Sequence, residues 1–281
     1  MTALAPTPTV TALTIAGSDS SGGAGIQADL RAFEALGVHG ASVVTLVTAQ
    51  GTRGVRKVDP LRAELVRAQL DAVFEDLPPR AVKTGALGNA AVVEIVADAL
   101  RTQAPAHLVI DPVVNPTLGR ALLDDSGFTA FVRELVPMAT LVVPNRDEAS
   151  RLAGRQVRTL AQAKSACKAI AGLGARAVLL KGGHFTGTES VDLLFDNGEF
   201  SELRSQRLAV PPMHGLGCTL SALVAALLAR GTPLREAVSR AHSIVHHALE
   251  RPRTIGEGLA LPGWLREAVI ATEPEATVSA S

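Results

Sequence analysis

The chain has no tyrosine, one tryptophan (Trp264) and seven phenylalanines in 281 residues. Its core must therefore be built from Ala, Val and Leu rather than from aromatic rings. Cysteine is as scarce: Cys167 and Cys218 are the whole supply. Two cysteines make no disulfide framework, which excludes a stapled secreted scaffold and leads us to expect a reducing, cytoplasmic setting. Excess charge is also lacking, because 27 Lys and Arg balance 27 Asp and Glu. No basic face for nucleic acid is implied. Apolar runs such as residues 43–47 and 223–229 fall far short of the ~20 residues that span a bilayer. Residues 1–9 carry Pro6 and Pro8 but no Lys or Arg. They do not read as a signal peptide and are expected to form a flexible tail.

What the chain does have is regular alternation. Residues 10–16 are a β-rich apolar run, followed by a glycine and hydroxyl loop over residues 17–25. Ile26, Leu30, Phe33 and Leu36 then recur at helical spacing, with Gly37 as a stop. Further strands are predicted at 41–49, 81–85, 107–110, 141–143 and 177–180. Helices are predicted at 61–74, 90–100 (capped by Asn89), 128–135, 146–152, 160–173 and 233–249, the last opened by Pro233 with Thr232 as its cap. Residues 191–195 and 200–208 read as a hairpin around Asp196-Asn197-Gly198. Strands alternating with helices predict an α/β fold: one domain over 10–270, with a mostly parallel central sheet, helices on both faces, and a second tail at 271–281.

In such a sheet, ligands bind beyond the carboxyl ends of the strands. That rule selects residues 17–25, Gln50, 83–85, Asp111, Asn145, 181–183 and a second glycine loop, His214-Gly215-Leu216-Gly217-Cys218, which runs straight into an apolar helix. A glycine turn at a helix start leaves backbone N–H groups aimed outward and suits an anion, phosphate above all. Cys218 at such a helix start is expected to have a depressed thiol pKa. A packed loop with a structural cysteine accounts for this segment alone equally well. Asp111 and Lys181 could be plain salt-bridge partners, but their places at strand ends favour a functional role.

Other motifs carry less. Gly23-Ala24-Gly25-Ile26-Gln27-Ala28 matches the dinucleotide pattern GxGxxA, but no Asp or Glu occurs from residue 35 to 58 to hold a ribose. No GxxxxGK[ST] is present. His242 and His246, four apart, lack an acidic partner in their helical turn and read as a packed or surface face rather than a metal site. Cys167, among Ala and Ile, reads as a small core residue.

The run from Ala16 through Gly25 to Leu30 resembles the signature of the hydroxymethylpyrimidine and phosphomethylpyrimidine kinases of thiamine synthesis, within the ribokinase-like superfamily. The likeness continues through residues 48–55, Lys83-Thr84-Gly85, Asp111-Pro112-Val113, Pro144-Asn145 with Glu148, residues 181–184 and residues 214–222. It implies a ribokinase-like kinase that uses ATP and Mg²⁺ to phosphorylate 4-amino-5-hydroxymethyl-2-methylpyrimidine and then its monophosphate. The resemblance assigns Gly17, Ala24, Asp29, Gln50, Ala86 and Val113 to the pyrimidine. It assigns Asn145, Lys181 and Gly183 to the nucleotide and Asp111 and Glu148 to the metal. Gly215 and Gly217 would form the anion hole, and Cys218 would stand where the superfamily's sugar kinases carry an aspartate base. A homodimer is also implied. Three departures stand out: Ala86 where the family has Met, Leu216 where it has Thr, and Asn115-Pro116-Thr117-Leu118-Gly119 where it has Ala-Lys-Ser-Gly. They leave room for a non-catalytic pyrimidine-binding regulatory relative, and a pyridoxal kinase of the same fold is the other alternative, because that vitamin also bears a hydroxymethyl group on an aromatic nitrogen ring.

Overall fold

The computed structural model describes residues 9–114, 121–182 and 187–273. Its strands are β1 (Thr11–Asp19), β2 (His39–Gly51), β3 (Gly54–Pro60), β4 (Ala81–Thr84), β5 (His107–Ile110), β6 (Leu141–Val142), β7 (Ala177–Leu180), β8 (Glu189–Asp196) and β9 (Glu199–Gln206). They form one sheet in the order β3-β2-β1-β4-β5-β6-β7-β8-β9. The six strands from β2 to β7 in that order are parallel; β3 and β8 run opposite to them, and β9, antiparallel to β8, closes the second edge. The helices are α1 (Gly25–Ala35), α2 (Ala63–Asp76), α3 (Ala90–Gln103), α4 (Asp125–Glu134), α5 (Arg146–Leu152), α6 (Leu160–Gly172), α7 (Leu216–Ala229), α8 (Leu234–Leu249) and α9 (Leu265–Ala271).

The aliphatic composition shows in the packing. One core, with Val66, Leu70, Val96, Phe131 and Ile170, lies between the sheet and α2 to α6. The other, with Phe33, Leu223, Leu227, Val238 and Ile244, lies under α1, α7, α8 and α9. Helix α7 is buried almost all round, as a helix must be when its sequence is apolar on every face. The parallel α/β fold with both faces covered is the one predicted.

Several boundaries differ from expectation, each for a physical reason. Residues 17–19 extend β1, because Ser18 and Asp19 pair with Val47 and Thr48 of β2 after a register shift. Gln50 lies inside β2 rather than after it, held there by pairing with β3. Strand β3 itself was not predicted. Its sequence, Gly-Val-Arg-Lys-Val-Asp-Pro, is charged and ends in proline, which is how an edge strand looks. Thr232 does not cap α8: Pro233 holds the cap position and no side chain bonds the first turn. Helix α4 starts earlier than expected because Asp124 accepts the Gly127 N–H at 2.6 Å. Helix α9 carries ordered structure past residue 270.

The chain runs from β1 to β2 on one side and later resumes with β4 on the other side of β1. That reversal opens a crevice at the carboxyl ends of β1 and β4, the usual ligand position in open parallel sheets. Both glycine loops come to this edge.

Candidate active site

The two glycine loops lock together through backbone that only glycine permits. Gly25 (φ +57) and Gly215 (φ +83) lie in the left-handed region. A side chain at Gly25 would strike the Gly17 carbonyl, and one at Gly215 would strike the Gly23 carbonyl. Gly215 is the N-cap of α7 and supplies no side-chain cap. The N–H groups of Leu216, Gly217 and Cys218 in the first turn therefore have no partner within the helix. The Gly25 N–H, at the start of α1, lies on the Cys218 side of this junction and is a small influence favouring its thiolate. Two helix N-termini thus meet at Cys218, and their dipoles make this a favourable place for an anion.

The thiol itself departs from expectation. Cys218 is partly exposed, yet burial pushes its pKa up to about 11. Lys83 pulls it down, but Asp111 and Asp29 push it up further. Desolvation and two carboxylates outweigh the helix start, so the expected depression is not found. Cys167, fully buried in α6, is a core thiol pushed up to about 12 by burial, in line with its reading as packing.

Two lysines flank this thiol. Lys83, in β4, is fully buried and donates to Asp29 Oδ2 at 2.8 Å, where Thr14 Oγ1 also donates at 2.6 Å. Burial alone would lower its ammonium pKa, but Asp29, Cys218 and Asp111 hold it above the ordinary value. Lys181, just past β7, donates to Asp111 Oδ1 at 3.0 Å and lies 3.9 Å from Glu148 Oε2. A side chain at Gly217 would come within 3.0 Å of its Nζ, so this ammonium sits directly under the glycine loop. Asp111 Oδ2 accepts from Ser221 Oγ at 3.2 Å. Glu148 closes a capping box on α5: Asn145 Oδ1 accepts the Glu148 N–H at 2.9 Å, and Glu148 Oε2 accepts the Asn145 N–H at 2.8 Å. Burial, and then Asp111, push the Glu148 carboxyl up to about 7 against the pull of Lys181.

On the other side of the crevice, Leu46, Ala86 and Leu122 form a small apolar cluster with Val58 and Val113 packed against it. Gly17 belongs to this wall: a Cβ there would lie 2.5 Å from Leu46 Cδ1. Beside it runs a polar network. Asp19 accepts from Ser21 N at 2.9 Å, Ser21 Oγ at 2.8 Å and Ala24 N at 2.8 Å, and its Oδ2 lies 2.8 Å from His214 Nε2. Burial would raise its pKa, but these bonds, that of His214 first, hold it down to about 2. An ionised Asp19 only accepts, so His214 Nε2 must carry the proton. The Gln50 amide, 2.8 Å from the same nitrogen, must then turn its oxygen to the ring and its NH₂ toward Thr48.

The structure therefore brings Gly17, Ala24, Gln50, Ala86 and Val113 to one side of the crevice, and Asp111, Asn145, Glu148, Lys181, Gly215, Gly217 and Cys218 to the other. Asp29 is the exception. It has no exposed surface and its Oδ2 is taken by Lys83 and Thr14, so it supports the floor rather than lining it. Gly183 and the 115–119 departure lie outside the described residues. Sequence reasoning placed Asp19 and His214 in the two site loops but gave neither a role, and it missed Leu46, Val58 and Leu122. A histidine directly before a glycine loop was a usable signal for His214; the apolar three carry none without the fold. His242 binds Asp192 Oδ2 through Nδ1 at 2.9 Å, and among the described residues no cluster of three or more metal-ligating side chains occurs. No helix among them is long and apolar enough to cross a membrane.

Known proteins resemble this chain in sequence and in fold. The family model described as phosphomethylpyrimidine kinase matches residues 19–262. A hydroxymethylpyrimidine/phosphomethylpyrimidine kinase of Rhizobium meliloti is 49% identical over 242 residues, covering 86% of this chain and 91% of the relative. A phosphomethylpyrimidine kinase structure from Clostridium difficile 630 is 38% identical with a TM-score of 0.76, covering 85% of this chain and 99% of that one. The pyridoxal kinase of Staphylococcus aureus, solved with AMP-PCP and pyridoxal, superimposes with a higher TM-score, 0.85, but at 30% identity, covering 93% and 95% of the two chains.

Proposed function

This chain belongs to the phosphomethylpyrimidine kinase family, and from that premise we propose that it transfers the terminal phosphate of ATP to the hydroxymethyl group of 4-amino-5-hydroxymethyl-2-methylpyrimidine and then to the resulting monophosphate. The observation that carries the reading is the meeting of two helix N-termini and Lys181 at Cys218, opposite an apolar wall edged by Gln50. One side offers positive charge to a transferring phosphate. The other offers an apolar surface and an amide to a small polar ring.

Phosphoryl transfer needs in-line placement and charge stabilisation more than a strong base. The alcohol oxygen bonds to the γ-phosphorus as the bond to the ADP oxygen breaks. The N–H groups of Leu216, Gly217 and Cys218, with Lys181, hold the equatorial oxygens. The alcohol proton passes to the Cys218 sulfur. With a thiol at about 11, only about one site in 10⁴ holds the thiolate at neutral pH, so kcat should climb with pH well into the alkaline range. Cys218→Ala should fold and bind both substrates but lose about 10²–10⁴ in kcat. Full activity in that variant would leave only the backbone anion site.

Asp111 and Glu148, both buried beside Lys181, fit a Mg²⁺ ion. A pair of carboxylates suits a cation that keeps its waters and takes phosphate oxygens as its other ligands. When bound, it would neutralise charge on the nucleotide phosphates. A cytoplasmic homodimer completes the proposal, and sedimentation equilibrium tests the assembly.

Pyridoxal is the competing substrate, because the fold alone accommodates both kinases. The higher identity to the pyrimidine kinases, over most of the chain, favours the pyrimidine. The deciding experiment compares kcat/KM for the pyrimidine alcohol, its monophosphate and pyridoxal with ATP. A preference for pyridoxal would overturn the assignment, and no turnover of any of them would favour a binding protein.

A further inference from the structure

A cavity of about 590 Å³ lies between α1, the start of α7 and the segment that leads into α9. Gly23 and Thr219 line it, so it shares a wall with the glycine loops, but neither Cys218, Lys181, Asp111 nor Gln50 does. Three arginines face it, Arg31, Arg253 and Arg266, against a single acid, Glu34. None of the three makes an ion pair among the described residues. Arg31 donates through Nη2 to the Gly22 carbonyl at 2.5 Å. Burial, and after it the like charge of Arg253, lower its pKa, with Asp19 and Asp29 pulling the other way. Arginines that only support a fold are commonly neutralised by a directly paired carboxylate; here two half-buried guanidiniums are held near each other with no direct carboxylate partner among the described residues, and Glu267 acts on Arg253 only from a distance. The Arg253 Nε–H is anchored to the Pro262 carbonyl at 3.0 Å, which leaves its two Nη groups to reach an anion. The same guanidinium lies over the Trp264 ring, with Cζ 3.7 Å from the centroid, and that indole remains 57% exposed at the cavity rim.

We propose that this cavity is a second binding site, for a small planar ring that carries a phosphate or diphosphate, with Arg31 and Arg253 as the anion clamp and Trp264 as the stacking surface. Guanidinium forks match phosphate geometry, and an indole face supplies apolar contact for a ring. The site does not depend on which alcohol the catalytic crevice phosphorylates. Its occupant is either the enzyme's own phosphorylated product or another aromatic phosphate.

The composition makes the test direct. Trp264 is the single tryptophan and there is no tyrosine, so protein emission reports this rim alone. Phenyl phosphate is titrated into the full-length chain with AMP-PCP and the pyrimidine alcohol at saturation, so that the crevice is filled. A saturable change in emission is expected, with much weaker responses to inorganic phosphate and to benzyl alcohol, each of which supplies half of the ligand. Arg31→Gln leaves the Trp264–Arg253 stack in place and should weaken binding about 10–100-fold, the worth of charge-assisted hydrogen bonds. Arg31→Lys should restore part of it. Should Arg31→Gln fail to fold, Arg253→Lys, which keeps the charge but loses the fork, carries the same test. Tighter binding of the phosphorylated pyrimidine than of phenyl phosphate names the product as occupant; equal binding names aromatic phosphates at large. A response that does not saturate, or one that the arginine variants leave unchanged, overturns the proposal.

Discussion

Lys83 and Lys181 leave the same edge of one sheet, pair with aspartates at 2.8 and 3.0 Å, and both act on the Cys218 thiol or lie under its loop. They differ in access. The Lys83–Asp29 pair is sealed, with both side chains at 0% exposure, whereas the Lys181 side chain keeps 16%. A sealed pair can hold elements together and tune its neighbours, but it cannot meet a phosphate. The open one can do so, because one face of its ammonium is turned to the glycine loop. Identical chemistry at two strand ends thus supports two different jobs, and depth decides between them.

The largest effect should come from breaking the sealed pair. Lys83→Met leaves a buried carboxylate without its partner and should cost about 3–5 kcal/mol of stability, read by denaturant melts. Adding Asp29→Leu should recover most of that loss, since an apolar pair of similar size removes the unpaired charge. If the double variant regains its fold but not its affinity for the pyrimidine, Asp29 touches substrate after all, as the family resemblance implies.

The open lysine should behave differently. Lys181→Met takes a cation from buried Asp111 and Glu148 but leaves Asp111 its Ser221 bond, so it is expected to cost less stability than Lys83→Met yet lose about 10²–10³ in kcat, the scale for removing one donor to a developing charge. A large drop in melting temperature with kcat preserved would erase the distinction between the two lysines.

Glu148 sharpens the comparison through pH. Its folded value, about 7, lies above the ordinary 4.5, so the folded state binds the extra proton between those values. Stability contributed by that proton is full below about 4.5 and is lost as pH rises through about 7. Glu148→Gln stays neutral and can keep the cap, so it should be the more stable protein at pH 8, by on the order of 1–3 kcal/mol, and lose that advantage near pH 4. The same variant should need more Mg²⁺ for half-activity. Equal melting of the two proteins across this range would show that the carboxyl is not perturbed.

The smallest expected effect is at the apolar wall. Gln50→Leu should raise KM for the pyrimidine by the worth of one buried polar pairing, about 1–3 kcal/mol, and leave KM for ATP unchanged. An unchanged pyrimidine KM would remove Gln50 from the substrate side.

Much of the architecture was legible in one dimension. Periods of two and 3.6 mark strands and helices without knowledge of neighbours, so α3, α5, α6 and β7 fall where the pattern puts them, and Asn89 and Asn145 cap as their types suggest. The Asp196-Asn197-Gly198 turn was readable because Asn197 and Gly198 both take positive φ, which few other residues accept. Strand β3 was not, because an edge strand is stabilised by its partner rather than by its own side chains. The rule that ligands gather at strand ends also found most of the candidate site, since that follows from topology alone.

What the residues could not disclose is how much water each one keeps. A cysteine at a helix start reads as acidic in sequence, and only its enclosure beside Asp111 and Asp29 reverses the direction. Asp29 and Asp111 look alike as letters and both are buried, but Asp29, on α1, is closed in by Lys83 and Thr14, whereas Asp111 lies against the glycine loop. By itself the sequence determined an aliphatic α/β domain, two glycine loops at one sheet edge and the family. The tertiary structure decided which charges are open, which are paired, and that His214 and Asp19 orient Gln50, because desolvation and pairing depend on residues far apart in the chain.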